Sequence, residues 1–324
     1  MHRRRVLLAA CALLAPGTAA AQKPAQSRIG WLSNDRPGNS PFYDAFRSGM
    51  RSLGYAEGRN LAIEARFGDG AGPERLGELA AELVGLKPQV IVTQGGPATF
   101  PVQRTGTTIP VVMGYSGDPV EAKLAATYAR PGRNITGMTF LSLELVGKRM
   151  EMLREVLPAL KRVAILANPE HAGQLGELHA SQAAASRLGL AIDYFQVRNL
   201  AELDHALASA LKQQSEALVQ FPDAFTLRYR DRIAQFCIEN RIPAISGWAQ
   251  FAESGNLMTY GPDLRAVFTR LATYVDKILK GANPAALPIE FPDTVELVVN
   301  LKAARSLGLT IPQSLLARAQ RTIE

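Results

Sequence analysis

Short apolar runs bounded by turn-forming residues punctuate the chain at 28–33, 90–94, 109–113, 162–167, 217–221 and 242–246. Runs of this kind predict parallel strands covered on both faces. Between them, apolar positions recur at helical spacing. Phe42, Phe46, Met50 and Leu53 form one stripe, and Leu76, Leu79, Ala80, Leu83 and Val84 another, which opens with Pro73 in its first turn. Strands alternating with helices predict βαβ units and right-handed crossovers, hence an α/β protein built on doubly wound parallel sheets.

The alternation repeats at long range. Residues 28–34 (RIGWLSN) align with 162–168 (RVAILAN) at an offset of 134, Leu53-Gly54 with Leu188-Gly189 at 135, and 109–114 (IPVVMG) with 242–247 (IPAISG) at 133. Three matches in one register predict two lobes of the same topology. A length of 324 residues, roughly twice that of a usual domain, agrees with two separate cores.

Open parallel sheets bind ligands outside the carboxyl ends of their strands, and two facing lobes place two such edges together. The first strand is followed by Ser33, Asn34, Asp35 and Gly38, with Ser40 at N-cap position before Pro41 and Phe42; free N–H groups at that helix start would favour an anionic ligand group. Gly95, Gly96 and Pro97 follow the strand ending at Gln94, where paired glycines let a ligand approach the backbone; a tight strand-to-helix turn explains them equally. Tyr115, Ser116 and Asp118 follow the next strand, and Asp223 follows the one that ends at Phe221. A carboxylate at each lip could take a ligand ammonium, although Asp beside Pro is more commonly a turn former. Tyr115, Phe221, Trp248 and Tyr260 all fall just past predicted strands, where rings would flank an apolar or planar solute. Trp31 lies inside a strand and is expected in the core.

The N-terminal segment changes the reading of charge. Arg3, Arg4 and Arg5, an apolar stretch over 6–14 and Ala19-Ala20-Ala21 before Gln22 predict a signal peptide over residues 1–21, and so a periplasmic protein. Loss of its three arginines takes the formal charge from +7 to +4. What remains has no Lys/Arg stripe interleaved with aromatics, and nucleic acid is not an expected partner. Loss of Cys11 leaves Cys237 alone, which excludes an internal disulfide and predicts a buried small residue.

Catalytic signatures are missing. The chain has no G-x-S-x-G elbow, P-loop or H-E-x-x-H, and 68–72 (GDGAG) lacks dinucleotide-fingerprint spacing. His2, His171, His179 and His205 show no metal-ligand spacing and are expected at the surface. No catalytic residue, metal or cofactor is expected.

Several stretches together resemble the bacterial ABC transporter substrate-binding proteins of the tryptophan/tyrosine-binding type, which have the type I periplasmic-binding-protein fold. They are 42–47 (FYDAFR) with 53–55 (LGY), 109–112 (IPVV), 117–120 (GDPV), 130–137 (RPGRNITG), 161–164 (KRVA), and 307–312 (LGLTIP) with 314–319 (SLLARA). The resemblance runs from about Arg28 to Ala319. It implies a small ligand held at the hinge, with contacts from Ser33, Gly95, Gly96, Asp118, Asn168 and Asp223, and an ABC permease of the inner membrane as partner. It also places the second crossing between lobes: lobe one is expected over 28–138 plus 253–284, and lobe two over 139–252 plus 285–324. Many relatives carry Asp-Asn where this chain has Asp223-Ala224, so an amide is replaced by an apolar residue.

The sequence therefore predicts an extracytoplasmic, monomeric solute-binding protein that takes up an amino acid or an aromatic or carboxylate-like solute for an ABC importer. A sensor module of the same fold feeding a membrane receptor, or a secreted α/β enzyme, remain as alternatives.

Overall fold

The computed structural model describes residues 26–38, 40–140, 143–171 and 173–324; the expected signal segment, 1–21, lies outside them. Lobe one opens with β1 (Ser27–Ser33), α1 (Pro41–Ser52), β2 (Leu61–Phe67), α2 (Pro73–Gly85), β3 (Val90–Gln94), α3 (Gly95–Arg104), β4 (Val111–Tyr115) and β5 (Ile135–Thr139). Lobe two continues with α4 (Leu143–Val156), β6 (Arg162–Ala167), α5 (Gln174–Leu188), β7 (Ala191–Gln196), α6 (Leu200–Lys212), β8 (Ala217–Gln220), α7 (Ala224–Arg228), α8 (Arg230–Glu239), β9 (Ala244–Ser246), α9 (Ala249–Glu253) and β10 (Met258–Pro262). Helix α10 (Leu264–Leu279) returns to lobe one, after which β11 (Val295–Asn300), α11 (Leu301–Leu307), α12 (Gln313–Leu316) and β12 (Arg321–Ile323) complete lobe two.

The predicted repeat is realised in the sheets. Lobe one runs β2-β1-β3-β4-β5, all parallel, and lobe two carries the matching run β7-β6-β8-β9-β10, extended by antiparallel β11 and then β12. The segments aligned by sequence are β1 with β6 and β4 with β9. Their apolar runs are buried on both faces because helices cover each side of each sheet.

Each lobe lends a helix to the other. Chain leaving β5 enters α4 of lobe two, and chain leaving β10 enters α10, which packs on α1 and β4 of lobe one. The expected boundaries therefore shift. Residues 253–263, expected in lobe one, include β10, which pairs with β9 in the lobe-two sheet. Residues 285–292, expected in lobe two, stay with lobe one: Thr136 Oγ1 donates to Leu287 O at 2.8 Å and Ile289 N to Tyr128 O at 2.7 Å. Asp263 N donates to Thr294 O at 3.1 Å, which ties two of the crossings together.

Trp31 is fully buried, with its ring centroid 5.0 Å from Tyr43, 5.3 Å from Phe46 and 6.0 Å from Phe268, as a core residue should be. Cys237 is buried too, and burial pushes its thiol up to about 12. Among the described residues no helix is long and apolar enough to cross a membrane.

The candidate interlobe site

On lobe one, the carboxyl end of β1 is organised by Asp35. Ser40 Oγ donates to Asp35 Oδ2 at 2.6 Å, and Gln94 Nε2 donates to both carboxylate oxygens at 3.0 Å. Ser40 thus stands at the N-cap position of α1 without capping it, since its hydroxyl is spent on Asp35. Burial raises the Asp35 pKa, opposed by Ser40, by Gln94 and by Arg230 of lobe two. Ser33 is buried and its Oγ accepts from Asp35 N at 3.4 Å; Asn34 Nδ2 donates to Ala71 O at 3.3 Å. Gly95 begins α3 at φ +74°, which only glycine adopts freely, and its carbonyl accepts from Thr99 Oγ1 at 2.8 Å. Gly96 and Pro97 occupy the first turn beside it, half-buried.

Tyr115 ends β4 fully buried, edge-on to Phe100 at 6.0 Å, and its hydroxyl has no hydrogen-bond partner. Burial raises its pKa, with Asp118 and Glu121 adding to the effect. Asp118 spends Oδ1 on its own turn, accepting from Val120 N at 2.7 Å and Glu121 N at 3.1 Å.

On lobe two, Asp223 is buried and caps α7. Thr226 N and Thr226 Oγ1 both donate to Oδ1 at 2.7 Å, and Asn168 Nδ2 donates to Oδ2 at 2.7 Å. Asn168 Oδ1 in turn accepts from Glu170 N at 3.0 Å, which shapes the turn leading to His171.

Two expected site aromatics, Phe42 and Phe221, are placed elsewhere. Phe42 is closed into the lobe-one core, stacked on Phe268 at 4.9 Å, because it faces α10 and not the strand ends. Phe221 is closed into the lobe-two core, packed with β6 and β9 residues. Trp248 is buried at the junction of the lobes, edge-on to Phe140 at 5.7 Å. Tyr260 is half-buried on β10, and its carbonyl accepts from Arg149 Nε at 2.8 Å.

The lobes meet at the strand ends. His171 Nε2 lies 2.9 Å from Ser116 Oγ, and Arg228 Nη1 donates to Gly70 O. The histidine expected at the surface is half-buried; desolvation lowers its pKa, against the nearby charge of Asp223 and the contact with Ser116. Behind it lies a pair that periodicity did not mark: Arg149 of α4 and Glu177 of α5, both buried, with Nη1 3.7 Å from Oε1. A buried arginine or glutamate on a helix has the same spacing as an exposed one, so no sequence signal separates them.

A family model for ABC transporter substrate-binding proteins matches residues 35–323. The chain belongs to that family. The tyrosine-binding protein of Clostridioides difficile (strain R20291) is 21% identical over 265 residues, 82% of this chain and 75% of that protein. A conserved domain protein from Vibrio cholerae O1 biovar El Tor superimposes with a TM-score of 0.83 at 26% identity, over 92% of this chain and 99% of that one. An ABC domain from Streptococcus pneumoniae in complex with L-Trp gives 0.85 at 22% identity, over 92% and 100%. These likenesses establish the two-lobed α/β fold of the periplasmic binding proteins.

In this substrate-binding family member, the Ser116–His171 contact has the donor and acceptor of a nucleophile and its base but not the group that orients the base. Asp223 directs its oxygens to Thr226 and Asn168, and His171 Nδ1 is buried without a hydrogen bond. The pair joins the lobes and lacks the arrangement that activates a hydroxyl. Among the described residues, no group of three or more His, Cys, Asp or Glu side chains could hold a metal ion.

Proposed function

We propose that this chain is an exported binding protein that encloses one small amino-acid-like solute between its lobes and presents it to the permease of an ABC importer. The observation that carries the reading is a set of buried polar atoms without partners contributed by both lobes beside their junction. Gln94 Oε1 and Tyr115 Oη of lobe one, and Arg149 Nη1, Glu177 Oε2 and His171 Nδ1 of lobe two, are all buried without a hydrogen-bond partner. Buried polar groups ordinarily have partners, and orphans supplied by both lobes support a ligand held between them.

Tyrosine binding by the Clostridioides difficile relative and the L-Trp complex of the Streptococcus neighbour support an amino acid or aromatic acid as the solute. Residues Ser33, Asn34, Gly95, Gly96 and Pro97 form the lobe-one wall in this reading, and Asn168 and Asp223 shape the lobe-two wall. The sequence of residues 1–21 supports export to the periplasm, where a monomer would meet the permease. A thermal-shift screen of amino acids, aromatic acids and nucleosides on the mature protein tests the reading: at least one solute should raise the melting temperature in a saturable way, and a screen without any such solute would remove its basis.

A further inference from the structure

Arg149 is held as a binding group would be. It is 2% exposed, and its Nε is fixed on Tyr260 O in the middle of β10. Its guanidinium crosses Gly247, directly after β9, so closely that a Cβ there would lie 2.6 Å from Nη2. Nη1 has no hydrogen bond, and the neighbouring Glu177 carboxyl stands off at 3.7 Å with Oε2 likewise unpartnered.

The fold itself does not ask for a cation at this place. Gly114 is the lobe-one counterpart of Gly247 in the internal repeat, and a Cβ there would meet the Phe268 ring at 2.7 Å. One repeat thus fills the space behind β4 with a phenyl ring from the incoming helix α10. The other fills it with a guanidinium from the incoming helix α4. Burying a charge without full pairing is costly, and a ring would pack the same position without that cost.

We propose that Arg149 receives a carboxylate of the solute, with Glu177 as the neighbouring carboxyl that competes for Arg149 once it ionises. The assignment rests on the reading of this chain as a solute-binding protein and narrows its ligands to small carboxylic acids, amino acids among them. A guanidinium presents two parallel N–H donors that match the two oxygens of a carboxylate. The groups facing Glu177 are Arg149 from α4, Asp223 at the start of α7 and Tyr194 from β7, with His171 beyond Asp223 and Glu144 acting on Arg149. Asp223 is saturated by Thr226 and Asn168, so it does not compete for Arg149. Burial pushes Glu177 up to about 8, with Arg149 lowering and Asp223 raising it. Below that pH Glu177 is neutral and leaves Arg149 to the solute; above it the ionised carboxylate competes.

Calorimetric titration at pH 7 with L-tyrosine, L-tryptophan and benzoate, each beside its carboxamide, and with the neutral sugars 5-methylthioribose and glucose, tests the assignment. One acid should bind, and its amide should bind on the order of a hundredfold more weakly. Arg149→Met should lose the acid by a similar factor, while Arg149→Lys keeps part of it. In wild type the affinity for the acid should fall between pH 7 and 9, and Glu177→Gln should abolish that fall; this arm decides the matter if Arg149→Met does not fold. Equal binding of acid and amide, an undiminished affinity in Arg149→Met, or an identical pH profile in Glu177→Gln would overturn the proposal. Binding of a sugar alone would leave the solute-binding reading standing and the carboxylate assignment refuted, whereas no binding by any probe contradicts both.

Discussion

His171 and Ser116 meet across the two lobes, imidazole Nε2 to hydroxyl oxygen at 2.9 Å. The contact exists only where the strand ends face each other, so it stabilises the closed arrangement and no single lobe. Ser116→Ala should therefore weaken solute binding by about 1 kcal/mol, roughly fivefold, while leaving the unfolding midpoint nearly unchanged. Calorimetry beside urea denaturation checks both halves of this expectation.

The same contact gives binding a lower pH edge. Burial lowers the His171 pKa in the closed form, so the open form takes up a proton first as pH falls. The stabilisation of closure is fully present above the ordinary histidine range, near pH 6.5, and is lost as pH falls below it. Affinity measured from pH 7.5 to 5 should decline in wild type and decline less in His171→Gln; parallel profiles would exclude His171 as the titrating group.

Glu177 sets an upper edge for folding stability. Its folded pKa of about 8 lies above the ordinary carboxyl value, so the native state binds the proton more tightly than the unfolded chain. Its contribution is fully present below pH 4 or so and is lost as pH rises through about 8. The unfolding midpoint of wild type should fall relative to that of Glu177→Gln between pH 6 and 9. A constant difference between the two proteins across that range would show that Glu177 does not titrate there.

Asp118 and Asp223, read from sequence as possible ammonium partners, hold local structure, and their variants should differ in degree. Asp118→Ala removes an acceptor from an exposed turn and should cost about 0.5–1 kcal/mol of stability. Asp223→Ala removes a buried cap and strands Asn168, and should cost about 2 kcal/mol or more. Urea denaturation measures the costs, and a loss of affinity without either cost would return these residues to direct ligand contact.

How much of this was legible in the sequence follows from which positions are buried on both sides. The six central strands read as continuous apolar runs because helices cover both faces. The edge strands β2 (LAIEARF) and β7 (AIDYFQ) did not, since they alternate and are largely half-buried, nor did β10, which lies between β9 and β11 but carries Gly261 and Pro262. Strand-end position points to Ser33, Gly95, Tyr115 and Asp223, which do lie at the carboxyl ends of their strands, but it also draws in Phe42 and Phe221, whose rings turn into the cores. Arg149 and Glu177 come from helices buried by the packing of α4 on α5 and β10, and His171 from a loop that meets the other lobe, none of which a local pattern encodes.

Small-angle X-ray scattering of the mature protein, with and without the solute found by screening, tests the central claim most directly. A solute enclosed between the lobes selects the closed arrangement, so the radius of gyration should fall on saturation, and the fall should be smaller in Ser116→Ala at the same subsaturating concentration. A solute that binds saturably and leaves the radius of gyration unchanged would place its site on one lobe and contradict the account.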